Sequence, residues 1–228
     1  MRIADFKCAL KIAPGKSDGN LFVKHKSALY WLIGTLIVLI IMVAAFSFDN
    51  TVHHYMTAHQ TRGLRHFMHS VSRFGDWPEH FVIGLLLTSI AWWRGSQTWT
   101  RVFLSMLIAL AIAGVAGRGI KIATGRARPS VKIEQVLNRS RFSSKFHAFP
   151  SGHVAASTAF FAVLLFANWR IGLGCLLIPL LIGFSRIYIG AHYLSDVVCA
   201  AVLGILCALL TAHFFLLPIA NRKSAIEN

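Results

Sequence analysis

The sequence predicts an all-α membrane protein, a polytopic bundle of about six transmembrane helices. Of its 228 residues, 56% are hydrophobic and only 14% are charged, and the mean hydropathy is +0.61. A chain of this composition is too apolar for an average soluble domain. Its length suits a single membrane domain with several spans.

Six apolar runs carry this prediction. They lie at about 28–48, 80–94, 102–120, 153–168, 171–185 and 197–217. About 20 apolar residues cross the hydrocarbon core, so the first and last runs are long enough. The second, fourth and fifth are short, and they could be tilted, dip into the bilayer, or be extended by interfacial tryptophans such as Trp92, Trp93 and Trp169.

The charge distribution predicts the orientation. Residues 1–27 carry six Lys or Arg and are read as a basic cytoplasmic tail, 28–217 as one membrane domain, and 218–228 as a second cytoplasmic tail. The first run is too long for a cleaved leader, and no basic residue follows it before Arg62, which places the N-terminus inside. Six spans then put three segments outside the cytoplasm: 49–79, 121–152 and 186–196. Basic residues divide almost evenly between the two sides, and an outward-facing anion site would explain this.

The segment 50–80 is rich in histidine, with His53, His54, His59, His66, His69 and His80. A metal cluster is conceivable, but the spacings match no established ligand pattern. Apolar residues fall roughly on one side of a helix: Met56, Leu64, Phe67, Met68 and Val71. We therefore favour an amphipathic helix at the membrane interface, followed by a turn at 74–78.

The net charge of +15 would suggest nucleic-acid binding in a soluble protein. Here the basic residues are scattered through tails and loops rather than gathered on one face, so we expect no nucleic-acid partner, and anionic lipid head groups fit better. Of the four cysteines, Cys175, Cys199 and Cys207 lie in apolar runs without CxxC spacing. They are expected to be small core residues, neither a disulfide framework nor a zinc site.

The stretch SRIYIGAHYLSD, from Ser185 to Asp196, places charged residues at the mouth of an apolar helix. His192 and Asp196 are four residues apart, so on a helix the carboxylate could hold one imidazole nitrogen and leave the other free to attack. Arg186 offers a planar cation suited to phosphate oxygens. The pattern indicates an anion site with a nucleophile, and the alternative is ordinary charged helix ends.

Two more segments fall on the same predicted side. In KIATGRARP, Lys121 and Arg128 are seven residues apart, about two turns if helical, with Pro129 expected to stop the helix. A solvated basic loop is the alternative. In FPSGHVAAS, Ser151 is a natural N-cap, and Gly152 lets an anion approach the free amides of the following helix. His153 would then lie beside that anion, unless it is simply a histidine on a capped membrane helix.

Together these segments resemble the type 2 phosphatidic acid phosphatase and vanadium haloperoxidase superfamily. The family pattern is K-x6-RP, then PSGH, then SR-x5-H-x3-D. The chain matches it with Lys121, Arg128 and Pro129, then Pro150, Ser151, Gly152 and His153, then Ser185, Arg186, His192 and Asp196. The resemblance covers roughly residues 75–215. The N-terminal tail and first span carry no signal of the family.

The resemblance implies a role for each matched residue. His192 would attack phosphorus to give a phosphohistidine, with Asp196 orienting it, and His153 would protonate the leaving oxygen. Phosphate would be bound by five residues: Lys121, Arg128, Ser151, Gly152 and Arg186. Three fixed cations would replace a metal ion, so no metal or other cofactor is expected.

The resemblance therefore implies a bacterial-type inner-membrane phosphatase with its site facing the periplasm or exterior. Candidate substrates are phosphatidic acid, phosphatidylglycerol phosphate, undecaprenyl pyrophosphate and lipid A. Arg139, Arg141 and Lys145 suggest a second anionic group on the substrate. Two alternatives remain: a phosphotransferase that uses the same site, and a non-enzymatic anion-binding membrane protein. The oligomeric state is left open.

Overall fold

A computed structural model describes residues 20–131 and 143–216, and within these ranges the chain forms helices and no strand. The helices are α1 Asn20–Ala58, α2 Arg62–Arg73, α3 Trp77–Trp93, α4 Gln97–Thr124, α5 Gly152–Ala167, α6 Trp169–Cys175, α7 Leu177–Tyr188 and α8 Leu194–Phe215. A short 3₁₀ turn, Ser144–Phe146, precedes α5. The prediction of an all-α protein is confirmed.

Among the described residues, four stretches are long and apolar enough to cross a membrane: Leu29–Ala58, Gln97–Thr124, Trp169–Tyr188 and Leu194–Phe215. They coincide with the first, third, fifth and sixth predicted spans. The second and fourth correspond to α3 and α5, which have 17 and 16 residues. The chain is therefore embedded in the membrane through several helices, and a count of six crossings stays a prediction.

The first helix is longer than predicted, because α1 continues to Ala58 and takes in the start of the segment 50–80. Between residues 29 and 44 most apolar side chains of α1 are exposed, as expected for contact with lipid. The separate amphipathic element is α2, whose Met68 is buried while Phe67 is 54% exposed. The expected apolar side is thus only partly buried, and an interfacial position for α2 stays a prediction.

Two helix boundaries have clear local causes. The fifth predicted span is interrupted at Leu176, because Pro179 has no N–H to donate to the Cys175 carbonyl one turn earlier. The helix α4 ends at Thr124, because Gly125 adopts a left-handed φ of 51°. The expectation that Pro129 stops this helix is wrong, and Arg128 lies in the loop beyond it.

The core lies among α4, α5 and α8, where small side chains let the helix backbones approach closely. A Cβ added to Gly204 would come within 2.7 Å of Thr158 and 2.8 Å of the Ala159 nitrogen, so α8 and α5 are nearly in backbone contact there. At their N-terminal ends, the Ser151 amide donates to the Asp196 carbonyl over 3.0 Å. Close packing thereby brings the starts of both helices to one place.

Candidate functional site

The start of α8 holds the predicted pair of His192 and Asp196 in a buried setting. His192 precedes the helix, which begins at Leu194. Contrary to the expectation, the two residues therefore do not share one face of a helix. They meet because Asp196 turns back over the first turn and accepts the Tyr193 amide at 2.9 Å. His192 Nδ1 lies 3.5 Å from Asp196 Oδ2, which is longer than an ordinary hydrogen bond. The carboxylate therefore faces Nδ1 and leaves Nε2 available for chemistry.

Burial also governs the charge state of this histidine. Its side chain is 1% exposed, and desolvation lowers the pKa of His192 to about 4. Arg186 and Arg128 act in the same direction, and Asp196 opposes them without reversing the effect. The imidazole is consequently neutral at pH 7, which is the form that can act as a nucleophile.

The start of α5 places Ser151 at the N-cap, as predicted. Its Oγ does not cap the helix, however, because it is buried without a hydrogen-bond partner among the described residues. A Cβ on Gly152 would lie 3.5 Å from Lys121 Nζ, so the ammonium group sits against the backbone of the helix start. The Lys121 ammonium group donates to the His147 carbonyl over 3.3 Å. A hydroxyl, free amides and an ammonium group thus meet at one point.

Two arginines complete the cationic part of the site. An Arg186 terminal nitrogen donates to Ser72 Oγ at 2.6 Å, while its Nε is buried without a partner in the described part of the chain. Arg128 donates from Nε to the Ser144 carbonyl at 3.0 Å. Desolvation lowers the pKa of Arg128, with the Asp196 charge opposing it. Partly desolvated cations of this kind are stabilised by a bound anion.

The second histidine of the pattern has an acidic partner. His153, in the first turn of α5, places Nε2 2.7 Å from Oδ1 of Asp76, the N-cap residue of α3. Burial raises the pKa of Asp76, Glu79 adds to this, and Arg186 acts against it. The contact therefore joins an imidazole to a carboxyl group across a distance that one shared proton can bridge.

Three contributing residues were not identified from the sequence: Asp49, Asp76 and Arg126. Arg126 bridges the carboxylates of Asp49 and Asp196 with contacts of 2.7 Å each. A signal was present, since the chain has only eight acidic residues and Asp49 ends an apolar run. An acidic residue in such a place points to a function. Which cation it would meet could not be read from the sequence, because Asp49 and Arg126 are 77 positions apart.

A cavity of about 220 Å³ adjoins the site between α3, α4 and α5. Its lining includes the charged or titratable side chains of Asp76, Arg118, Lys121 and His153. It also includes apolar or small residues of α4 and α5, namely Leu110, Ala113, Gly114, Gly117 and Ala156. The cavity therefore combines charged groups with an apolar lining.

His153 is close enough to Arg186, His192, Lys121 and Arg128 for their charges to act on it, so these five predicted residues belong to one site. Over residues 20–131 and 143–216, no group of three or more His, Cys, Asp or Glu is arranged to hold a metal ion. Of the three residues suggested for a second anion, Arg139 and Arg141 fall outside the described residues. Lys145 is exposed within the 3₁₀ turn.

The chain belongs to the PAP2 superfamily, whose family model matches residues 98–218. This range contains all three motifs. It excludes α1, α2 and α3, and therefore Asp49 and Asp76.

Curated relatives include lipid A 1-phosphatases from two Rhizobium species. The protein from Rhizobium johnstonii is 35% identical over 116 residues, which are 48% of this chain and 46% of the relative. The protein from Rhizobium etli is 36% identical over 53% of this chain and 50% of the relative. The chain thus aligns with about half the length of these two enzymes. The undecaprenyl-diphosphatase BcrC of Bacillus subtilis is 28% identical over 60% of this chain and 70% of that protein.

Solved structures show the same fold. A transmembrane PAP2-type phosphatidylglycerolphosphate phosphatase from Bacillus subtilis gives a TM-score of 0.62 at 22% identity, covering 79% of this chain and 92% of that one. Aquifex aeolicus LpxE gives 0.58 at 22% identity, over 72% and 94%. At these identities the likeness extends to the fold alone.

Proposed function

We propose that the protein is an integral membrane phosphatase that hydrolyses a lipid phosphomonoester or pyrophosphate through a phosphohistidine on His192. The observation that supports it most is that the second and third motifs each place a buried donor without a hydrogen-bond partner at the site. Ser151 Oγ and Arg186 Nε are buried without a partner in the described residues. Their segments meet at the start of α8, because the Ser151 amide donates to the Asp196 carbonyl and the His192 amide donates to the Arg186 carbonyl. Buried polar groups normally have partners, and phosphate oxygens would supply them.

In the first step, the Nε2 lone pair of neutral His192 attacks phosphorus while the bond from phosphorus to the lipid oxygen breaks. His153 gives its proton to that oxygen, so the lipid leaves as an alcohol, or as a lipid phosphate when the substrate is a pyrophosphate. Arg186, Arg128 and Lys121 stabilise the charge on the equatorial oxygens. Asp196 balances the positive charge that develops on the His192 ring.

In the second step, His153 accepts a proton from water as the water oxygen attacks phosphorus. The bond between phosphorus and Nε2 breaks, inorganic phosphate is released, and His192 returns to its neutral form. Each cycle therefore consumes one water and leaves both histidines in their starting states. If a lipid or sugar hydroxyl replaced water, the same site would act as a phosphotransferase.

The cavity beside His153 supports a lipid substrate, because it combines charged groups with an apolar lining. Substrates named for the relatives, namely lipid A and undecaprenyl diphosphate, carry two phosphates. We therefore expect lipids with a second phosphate to be cleaved faster than phosphatidic acid. The site is proposed to face the periplasm or exterior of a bacterial inner membrane, since the N-terminal charge places the first end of α1 inside.

Phosphate release by purified protein in detergent tests the proposal. The panel contains phosphatidic acid, phosphatidylglycerol phosphate, undecaprenyl pyrophosphate and lipid A, each with EDTA present. Release from at least one lipid by the wild type and none by His192→Ala is the expected result. Release from none of the lipids, or equal release by the variant, would contradict it.

A further inference from the structure

Arg126 joins the predicted catalytic pair to a part of the chain that the family model does not match. One terminal nitrogen donates to both Asp196 Oδ1 and Ser195 Oγ, at 2.7 Å each. The other donates to Asp49 Oδ2 at 2.7 Å. The guanidinium group also lies 4.6 Å from the ring centre of Tyr193, so the aromatic ring packs against the guanidinium group.

Asp49 also binds Ser195, the residue that directly precedes Asp196. Its Oδ1 accepts the Ser195 amide at 2.8 Å, and its Oδ2 accepts the Ser195 hydroxyl at 2.6 Å. The side chain of Asp49 is 6% exposed and that of Asp196 is fully buried. Two buried carboxylates therefore share one arginine, and removing the arginine would take away the cation that both contact directly.

This arrangement has a consequence for His192. A free carboxylate facing Nδ1 would draw a proton onto the imidazole and reduce its nucleophilicity. Because Asp196 is already bound by Arg126 and by the Tyr193 amide, it orients the ring while much of its charge is offset. Other charged or titratable groups act on the pair from the neighbouring elements: Arg186 from α7, Arg128 from the loop after α4, Lys121 from α4 and His153 from α5.

We propose that Arg126, anchored by Asp49, is a positioning residue that fixes the Asp196 carboxylate beside His192 and offsets its negative charge. The inference rests on the proposed nucleophilic role of His192. It adds a residue of the first helix to a site otherwise built from the matched segment. It also predicts whether each charge-altering substitution raises or lowers the pKa of His192.

The test measures the pKa of His192 by NMR in full-length protein with labelled histidine, the signal being assigned by its loss in His192→Gln. Arg126→Gln should raise the pKa of His192 by about 1 to 3 units, because Asp196 loses its counter-ion. Arg126→Lys keeps the positive charge but lacks the two terminal nitrogens that contact Asp49 and Asp196. A smaller rise in the pKa of His192 is therefore expected. Asp49→Asn should lower the pKa of His192, because it removes a competing negative charge.

Activity gives a second readout on the same variants. Arg126→Gln should reduce kcat by up to about 100-fold with little change in KM, since Arg126 positions the nucleophile rather than holding the phosphate. The acidic limb of the pH profile should move with the NMR value. Arg101→Gln is the matched control, because Arg101 is exposed at the opposite end of α4, and it should change neither quantity.

Unchanged pKa values in all three variants, or shifts of the same sign in Arg126→Lys and Asp49→Asn, would overturn the proposal. If Arg126→Gln fails to fold, the pKa values measured in Arg126→Lys and Asp49→Asn decide the test. The expected NMR shifts in a protein that releases no phosphate from any lipid would instead refute the proposed function and leave the role of Arg126 towards Asp196 intact.

Discussion

His153 and Asp76 form a close pair between the starts of two helices, with Nε2 and Oδ1 2.7 Å apart. Asp76 precedes α3 and lies outside the segment matched by the family model, so this contact adds a carboxylate to the predicted site. The side chains are 22% and 50% exposed, which leaves the histidine open to a substrate. In the proposed reaction, a proton shared by this pair passes through His153 to the leaving oxygen.

Asp76→Asn should therefore slow the cleavage of lipid substrates, in which the leaving oxygen needs a proton. The loss should approach that of His153→Ala, for which removal of a general acid costs about 10² to 10⁴-fold. On nitrophenyl phosphate, whose leaving group departs without protonation, both variants should regain much of the lost rate. Steady-state rates on the two substrates measure this difference.

Arg94→Gln provides the control for this comparison, because Arg94 is exposed at the far end of the same helix. It should keep the wild-type rate on both substrates. An equal loss on lipid and nitrophenyl substrates in Asp76→Asn would show that Asp76 supports the structure rather than proton transfer.

The burial of His192 predicts an acid-dependent loss of stability. In the unfolded chain its pKa is about 6.5, and in the folded protein burial lowers it to about 4. Between these values the unfolded state binds more protons, so the free energy of unfolding falls as pH falls, by up to about 1.4 kcal/mol per pH unit. Thermal unfolding in detergent at pH 7.5 and pH 5 should show this fall in the wild type. His192→Gln should show a smaller one, and equal acid sensitivity in both proteins would contradict the assignment.

How far the sequence predicts the site is clear from particular residues. The spacing of His192 and Asp196, and the position of Ser151 before an apolar helix, were readable because local chain geometry determines them. Gly125 could have been recognised as the end of α4, since glycine is favoured in the left-handed conformation after a helix. Contacts such as those of Arg126 with Asp49 depend on how distant helices pack, and no short pattern encodes them.

Activity should be independent of added metal and inhibited by vanadate. The proposed site meets the charge of the transition state with Lys121, Arg128 and Arg186, and vanadate can adopt the five-coordinate geometry of the reacting phosphorus. Phosphate release should continue in EDTA and fall on addition of vanadate. Complete loss in EDTA with recovery on adding magnesium would show that the reaction needs a metal.

Both termini should be cytoplasmic, with the loops around Arg128, Ser151 and His192 outside. Single cysteines introduced at Gln60, Ser140 and Ala225 can be labelled with a membrane-impermeant reagent in intact cells and in inverted vesicles. The first two should react from outside and the third only from the cytoplasmic side. Labelling of residue 140 only from the cytoplasmic side would reverse the proposed orientation.

In the proposed reaction, His192 forms the covalent bond to phosphorus. Brief incubation with lipid carrying labelled phosphate, followed by an alkaline quench that preserves phosphohistidine, tests it most directly. Acid-labile label is expected on the wild-type protein and on His153→Ala when a good leaving group is used, and none on His192→Ala. Label that persists on His192→Ala would place the nucleophile elsewhere and rule out a phosphohistidine at this residue.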